Sequence, residues 1–265
     1  MKIISWNVKG ITDPKKAKSI NKWLRDSHQN VDVVCLQEIK ASGETAKQRL
    51  QAVHPKFIWF HTANSQGTGG AAIGINPKLQ LQDIMLSNLP SPNWVGVKIG
   101  GASPLTVVSV YAGGSTQSRA DMWQELSGLQ GPVILSGDFN MVEFIEDRWE
   151  GKGVTIKGSE LTQWEALKNS LDLTDIGDIG KFTWQNYSAP PMARKARLDK
   201  TFVLTAVANK YIRVKIAPNF NTCLFDHHPI IISLDNKANK ARSNWFHTKL
   251  SLFQLASVQE AIKVI

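Results

Sequence analysis

Two short apolar runs, residues 31–36 and 132–136, each break off at a polar cluster that carries an acid. The first ends in Gln37-Glu38 and the second in Gly137-Asp138-Phe139-Asn140. Near-continuous apolar runs of this length read as strands buried on both faces. Such strands belong inside a layered domain, and their ends are where polar side chains first meet water. Alternation along the second strand puts Asp138 and Asn140 on one face and turns Phe139 away. An acid and an amide aimed together can grip a water and a phosphate oxygen, although Gly-Asp-x-Asn alone also describes an ordinary turn.

Further runs repeat the arrangement along the chain. Strands are expected over 3–8, 57–60, 71–75, 79–85, 94–99, 105–111, 182–184, 198–204, 211–216 and 229–234, with 57–60 at a sheet edge. Helices are expected over 15–27, 44–53, 118–129 and 159–171. Gly67-Thr68-Gly69-Gly70 runs into a strand and not a helix, which argues against a dinucleotide-type phosphate loop. No repeat or low-complexity linker interrupts the series. Many strands with interspersed helices predict an α/β (α+β) domain: a four-layered α/β/β/α sandwich of two mixed sheets packed face to face. The expected domain spans 1–235. A polar stretch carrying Lys237, Lys240 and Arg242 then begins an extension, 236–265, with a helix over 250–265. The chain stops on Lys263-Val264-Ile265, as a piece of a longer polypeptide would.

A formal charge of +9 and a pI near 9.5 favour a polyanionic partner, by steering and by counterion release. The basic residues are spread along the chain, so charge by itself names no binding face. Nine Trp is a rich complement: most are expected to pack, and a minority to be available for stacking on bases. Two cysteines, Cys35 and Cys223, make neither a disulfide framework nor a zinc spacing, which suits a reducing interior. The strand that starts at Ile3 leaves no room for a signal peptide, and no apolar run is long enough to span a bilayer. An intracellular protein is expected, with no membrane partner.

The strand ends together carry Asn7, Glu38, Tyr111, Asp138 with Asn140, Asp199, and Asp226 with His227. Each alone has a structural explanation, such as a closed turn for Asn7, a rim hydroxyl for Tyr111 or a surface ion pair for Asp199. The ordered set is another matter. Trp6-Asn7-Val8, Leu36-Gln37-Glu38, Val110-Tyr111, Gly137-Asp138-Phe139-Asn140, Arg197-Leu198-Asp199 and Asp226-His227-His228-Pro229-Ile230 resemble the endonuclease/exonuclease/phosphatase (DNase I-like) family over about residues 1–235. Within it, Gly-Asp-Phe-Asn-Met-Val, Glu146-Asp147-Arg148 and the stretch from Phe182-Thr183-Trp184 to Asp199 are most similar to endonuclease domains of plant LINE-type non-LTR retrotransposons.

The resemblance implies a metal-dependent phosphodiesterase that nicks DNA and leaves a 3′-hydroxyl. It implies Glu38 as main metal ligand, with Asn7 and Asp226 beside it, and acid and amide oxygens suit Mg2+, with Mn2+ as a substitute. Asp138 becomes the base for the attacking water, Asn140 the holder of a phosphate oxygen, His227 the donor to the phosphate, oriented by Asp199, and Tyr111 a further hydrogen bond. His228 is expected to point the other way. Loops 62–70, 112–118, 141–158 and 185–196 would set substrate choice, with Lys9, Arg194, Lys195 and Arg197 on the nucleic-acid backbone. A DNA substrate implies the nucleus. Two departures stand out. Lys9 occupies a position where base-repair members carry an acid, and is expected to weaken metal binding. Phe225 replaces a usual Ser, and is expected to loosen support of the Asp226-His227 pair. Two other readings stay open: a phosphomonoesterase of inositol phosphates or lipid headgroups, and a catalytically weak nucleic-acid-binding module.

Overall fold

The computed structural model describes residues 1–234 apart from 28–29, 63–66, 90–91, 102–103, 150–154, 188–193, 209–211 and 219–220. The first sheet holds β1 (Lys2–Asn7), β2 (Val33–Gln37), β3 (Ile58–Thr62), β4 (Ala71–Ile75), β13 (Ile212–Ile216) and β14 (Ile230–Leu234). Its order is β13-β14-β1-β2-β4-β3. The second holds β5 (Leu81–Leu86), β6 (Trp94–Ile99), β7 (Leu105–Tyr111), β8 (Val133–Asp138), β9 (Leu173–Asp175) and β12 (Asp199–Leu204), in the order β5-β6-β7-β8-β12-β9. Each sheet has a central parallel pair, β1 with β2 and β7 with β8, among antiparallel neighbours. A ribbon of β10 (Trp184–Gln185) and β11 (Lys195–Ala196) stands apart from both.

The central strands of both sheets are buried on both faces, which is why they read as near-unbroken apolar runs. Ile3, Val33, Cys35 and Ile73 point between the sheets to meet Val95, Val97, Val107 and Ile134. Their chain neighbours Ile4, Trp6, Val34 and Leu36 point outward, against α1 (Pro14–Ser27) and α2 (Gly43–Val53), through Ile20, Leu24, Leu50 and Val53. Val108, Val110, Leu135 and Phe202 do the same on the other side, under Trp123 of α3 (Thr116–Leu126) and Trp164 of α4 (Gly158–Ser170). Each fully buried side chain of this size contributes roughly 1.5–3 kcal/mol. The expected four-layered sandwich is the one observed.

Element boundaries moved for local reasons. Helix α3 starts at Thr116, ahead of the expected 118, because the Ser115 hydroxyl accepts the Ser118 N–H and caps it. β9 and β11 are too short to show a periodicity and were not foreseen. Strand β8 stops at Asp138, so alternation does not carry through to Asn140: Asn140 sits in a turn with φ +48°. Gly137 makes the close approach that this strand end needs, since a Cβ there would lie 1.9 Å from the Val110 carbonyl oxygen on β7. The helix expected over 250–265 lies outside the described residues. No described helix is long and apolar enough to cross a membrane.

Candidate active site

The parallel pairs aim their polar ends at one place. Across the second sheet Tyr111, Asp138 and Asp199 are register partners on three adjacent strands, β7, β8 and β12. Across the first sheet Asn7 lies beside Gln37, and Glu38 follows at once. These strand ends border a cleft of about 660 Å³, lined by Lys9, Glu38, Tyr111, Asp138, Asn140, Arg194, Lys195, Asp226 and His227, among others. Among the described residues, Lys9, Glu38 and Asn140, which line the cleft, have positive φ, as does Lys40 beside Glu38. Backbone strain of this kind persists only where the surroundings impose it, and it concentrates at functional sites.

His227 and the carboxylates form the floor. His227 Nδ1 is 2.8 Å from Asp199 Oδ2, and its Nε2 is 3.9 Å from Asp138 Oδ2. Burial alone would push the imidazole down, but Asp199, with Asp138 and Asp226, raises it to about 9. Burial drives Asp138 up to about 7, against the pull of His227 and of the N–H donors from Asn140 and Asn7. At neutral pH the imidazole is therefore a held proton donor, and Asp138 is a carboxyl poised to gain or lose a proton. Burial, Glu38 and Asp138 push the Tyr111 phenol well above its ordinary value, which keeps it a hydrogen-bond donor.

The supports are specific. The buried Thr183 hydroxyl accepts the N–H groups of Leu198 (3.1 Å) and Asp199 (2.9 Å), which sets the carboxylate that orients His227. Gln185 N–H donates to the Asp226 carbonyl, and Trp184 pairs with His227, so β10 lashes the loop of Asp226 and His227 to the sandwich. Trp6 Nε1 donates to the His227 carbonyl at 3.1 Å. Phe225 packs on that same indole, ring centroids 4.4 Å apart, and is buried. The Phe225 ring thus packs behind the Asp226-His227 loop, where it offers no hydroxyl to Asp226. His228 points away as expected, its Nδ1 3.2 Å from the Ala217 carbonyl.

The oxygens of Glu38 and Asp226 fit a hard divalent ion. Most donors in reach are oxygens, with the His227 nitrogen beside them, while Cys35 is buried in the core. Asp226 Oδ1 is buried with no hydrogen-bond partner among the described residues, a costly state for a carboxylate unless a cation completes it. Asp138, Asp199 and His227 also bring ligand atoms within 4.8 Å of one another, a buried acidic and histidine group able to hold a metal. Asn7 Nδ2 donates to Glu38 Oε2 (3.0 Å) and Asp138 Oδ2 (2.8 Å), and its Oδ1 accepts the Lys9 N–H. It bridges two carboxylates that would otherwise repel, and its oxygen, holding one donor, keeps a second lone pair.

Lys9 does reach the site, where its Nζ pairs with Asp226 Oδ2 at 2.7 Å and helps hold that acid below the usual carboxylate range against the opposing effect of burial. Lys40, which sequence reasoning missed, pairs with Glu38 Oε1 at 2.6 Å. In the sequence Lys40 looks like any solvated lysine. Arg194 and Lys195 line the cleft. Arg197 does not, and its assignment to the nucleic-acid backbone is corrected. It is 1% exposed, forked onto Asp147 at 2.6 and 2.9 Å and onto Asp175 at 2.7 Å, so it holds up the site from below. Asp147 also takes Lys200 Nζ at 3.0 Å, and these cations hold it below the ordinary range although burial works against them. The Glu146-Asp147-Arg148 stretch is thus a structural pin, and Trp149 behind it enters the cleft unforeseen.

Comparison with known proteins bears on the whole domain. The model of the endonuclease/exonuclease/phosphatase family matches residues 4–220. Among solved structures, the 3′ phosphatase NExo from Neisseria, bound to a product DNA hairpin, is 18% identical with a TM-score of 0.66, covering 89% of this chain and 99% of that one. The AP endonuclease LMAP from Leishmania major is 17% identical, TM-score 0.68, with 88% and 87% covered. The endonuclease domain of TRAS1, a telomere-specific non-LTR retrotransposon, is 18% identical, TM-score 0.62, with 88% and 97% covered. A search of curated protein sequences finds no match. At these identities the structural likeness speaks for the fold.

Proposed function

The chain belongs to the endonuclease/exonuclease/phosphatase family, and from that premise we propose that it is a magnesium-dependent DNA endonuclease that nicks one strand and leaves a 3′-hydroxyl. The observation that carries the reading is the pairing of two proton-handling groups on one cleft floor. Asp138 is raised toward neutrality, and the protonated His227 stands 3.9 Å away.

Asp138 would take the proton of the attacking water as its oxygen bonds to phosphorus and the bond to the 3′ oxygen breaks, a role worth about 10²–10⁴-fold. His227, kept charged by Asp199, would donate to a phosphoryl oxygen, where fixed donors act on charge that grows in the transition state. Asn140 and Tyr111 would hold the other oxygens. Glu38 and Asp226 would hold the ion, with Asn7 fixing Glu38, and magnesium there would neutralise charge on the phosphoryl and leaving oxygens. Lys9, Arg194 and Lys195 would meet the DNA backbone, in keeping with the net charge of +9. Lys9 and Lys40 would leave their acids when the ion binds and turn to phosphate. A retrotransposon-type enzyme of this kind would work in the nucleus.

A supercoiled-plasmid assay tests the reading. Nicking is expected with magnesium, none with EDTA, and a loss of at least 100-fold in the Glu38→Ala and His227→Ala variants with circular dichroism unchanged. An inactive parent chain would sink the proposal. Phosphate release from monoesters with no nicking would move the reaction to monoester hydrolysis.

A further inference from the structure

Trp149 stands in the cleft with no part in the hydrolysis proposed above. It is 49% exposed, where Trp6, Trp123 and Trp164 are buried in the layers. Its backbone is held all the same. The turn before it, Ile145–Asp147, is fastened by the Asp147 carboxylate to Arg197 and Lys200, and the Asp147 carbonyl accepts the Arg197 N–H at 2.8 Å. Arg148 then bridges to Ala196 on the ribbon. Phe182 braces the indole, centroids 6.0 Å apart at 71°, and Lys195 Nζ stands 5.3 Å over the ring. Arg148, Arg194 and Lys195 line the cleft with it.

An indole kept partly in water on an anchored backbone, with cations around it, has the chemistry of a stacking platform. Every base offers a π face, and the cations take the flanking phosphates. We propose that Trp149 receives an unpaired base next to the scissile phosphate, so that DNA with that base already out of the stack is preferred over a perfect duplex. The proposal rests on the DNA-nicking reading for its substrate. Lys195 gives up only a weak cation–π contact at a solvent-facing ring, and its ammonium moves from the indole to a phosphate as the base arrives. A base in an intact duplex must first be unstacked, which is least unfavourable at a bulge or mismatch.

The test uses hairpin DNAs of one sequence, either fully paired or with a single unpaired 2-aminopurine stepped through successive positions. Binding is measured in EDTA, and nicking of the same DNAs in magnesium. The parent protein is expected to bind the best bulged form about tenfold more tightly than the duplex and to quench the 2-aminopurine. Trp149→Ala should bind both forms alike without quenching, and Trp149→Phe should restore part of the preference. Equal binding of both forms by the parent, or a preference that survives in Trp149→Ala, overturns the proposal. Trp149-dependent preference without any nicking would uphold the platform and sink the hydrolytic reading. Nicking with no such preference would do the reverse.

Discussion

Arg197, Asp199 and Lys200 lie within four residues, yet they belong to two buried ionic clusters completed to different degrees. Beneath the cleft, both Asp147 oxygens are taken, by Arg197 and Lys200, and Arg197 reaches Asp175 with its remaining arm. At the cleft floor, Asp226 Oδ1 and Asp199 Oδ1 are buried without hydrogen-bond partners among the described residues, and Asp138 is driven up by burial. The same residue types in the same interior thus serve two ends. An acid with both oxygens taken, such as Asp147, pins a loop, while acids beside the cleft that keep an unmatched oxygen can take an ion, a phosphate or a proton.

The sharpest way to break this comparison is to remove one acid from each cluster. Asp138→Asn should cost about 10²–10⁴ in nicking rate while leaving the melting temperature nearly unchanged. Asp147→Ala should strand two buried cations and cost about 3–5 kcal/mol, seen as a melting temperature lower by about 10 °C. If Asp147→Ala melts like the parent, the lower cluster is not the structural one.

The second contrast concerns pH. His227 has its folded value raised above the unfolded one, so its stabilisation is full below about pH 6.5 and is lost as pH rises through about 9. Asp199→Asn should therefore lower the melting temperature most near pH 6, by an amount worth roughly 2–3 kcal/mol, with the gap closing by pH 10. NMR titration should find the imidazole value lowered, because burial is then opposed only by Asp138 and Asp226. A constant gap from pH 6 to 10 would contradict the pairing. Nicking itself should rise as Asp138 deprotonates through about pH 7 and fall as His227 loses its proton near 9.

The smallest effect on stability is expected from Lys9→Ala. Lys9 is 53% exposed and its pair with Asp226 is screened by water, so unfolding free energy should change by less than about 1 kcal/mol. Calorimetric titration with Mn2+ should nonetheless show tighter binding, by about tenfold, because a competing cation has gone. Unchanged affinity would mean that Lys9 does not guard the acid.

Much of this was legible in the chain. Near-unbroken apolar runs announced the central strands, since both of their faces are covered. Asn7, Glu38, Tyr111, Asp138 and Asn140 could be named because each sits at or just past the end of an apolar strand, and Asp226 and His227 because they stand just ahead of one. What was misread follows from one limit: a charged residue in a sequence carries no label for depth. Arg197 looked like part of a basic loop, and only its fork onto Asp147 and Asp175 shows it to be interior. Lys40 looked solvated, and only the left-handed turn at Glu38 brings its ammonium onto that acid. Asn140 was placed by strand alternation that ends two residues too soon.

The sequence by itself determined the layers and the roster of strand-end residues, because periodicity and apolar content are local properties. Tertiary structure alone decided the partners: which acid meets His227, which cations are spent inside and which stand at the cleft, and that a tryptophan shares it. Those assignments depend on distances between residues far apart in the chain, and on a burial that makes an unmatched charge costly enough to mark where an ion or a phosphate belongs.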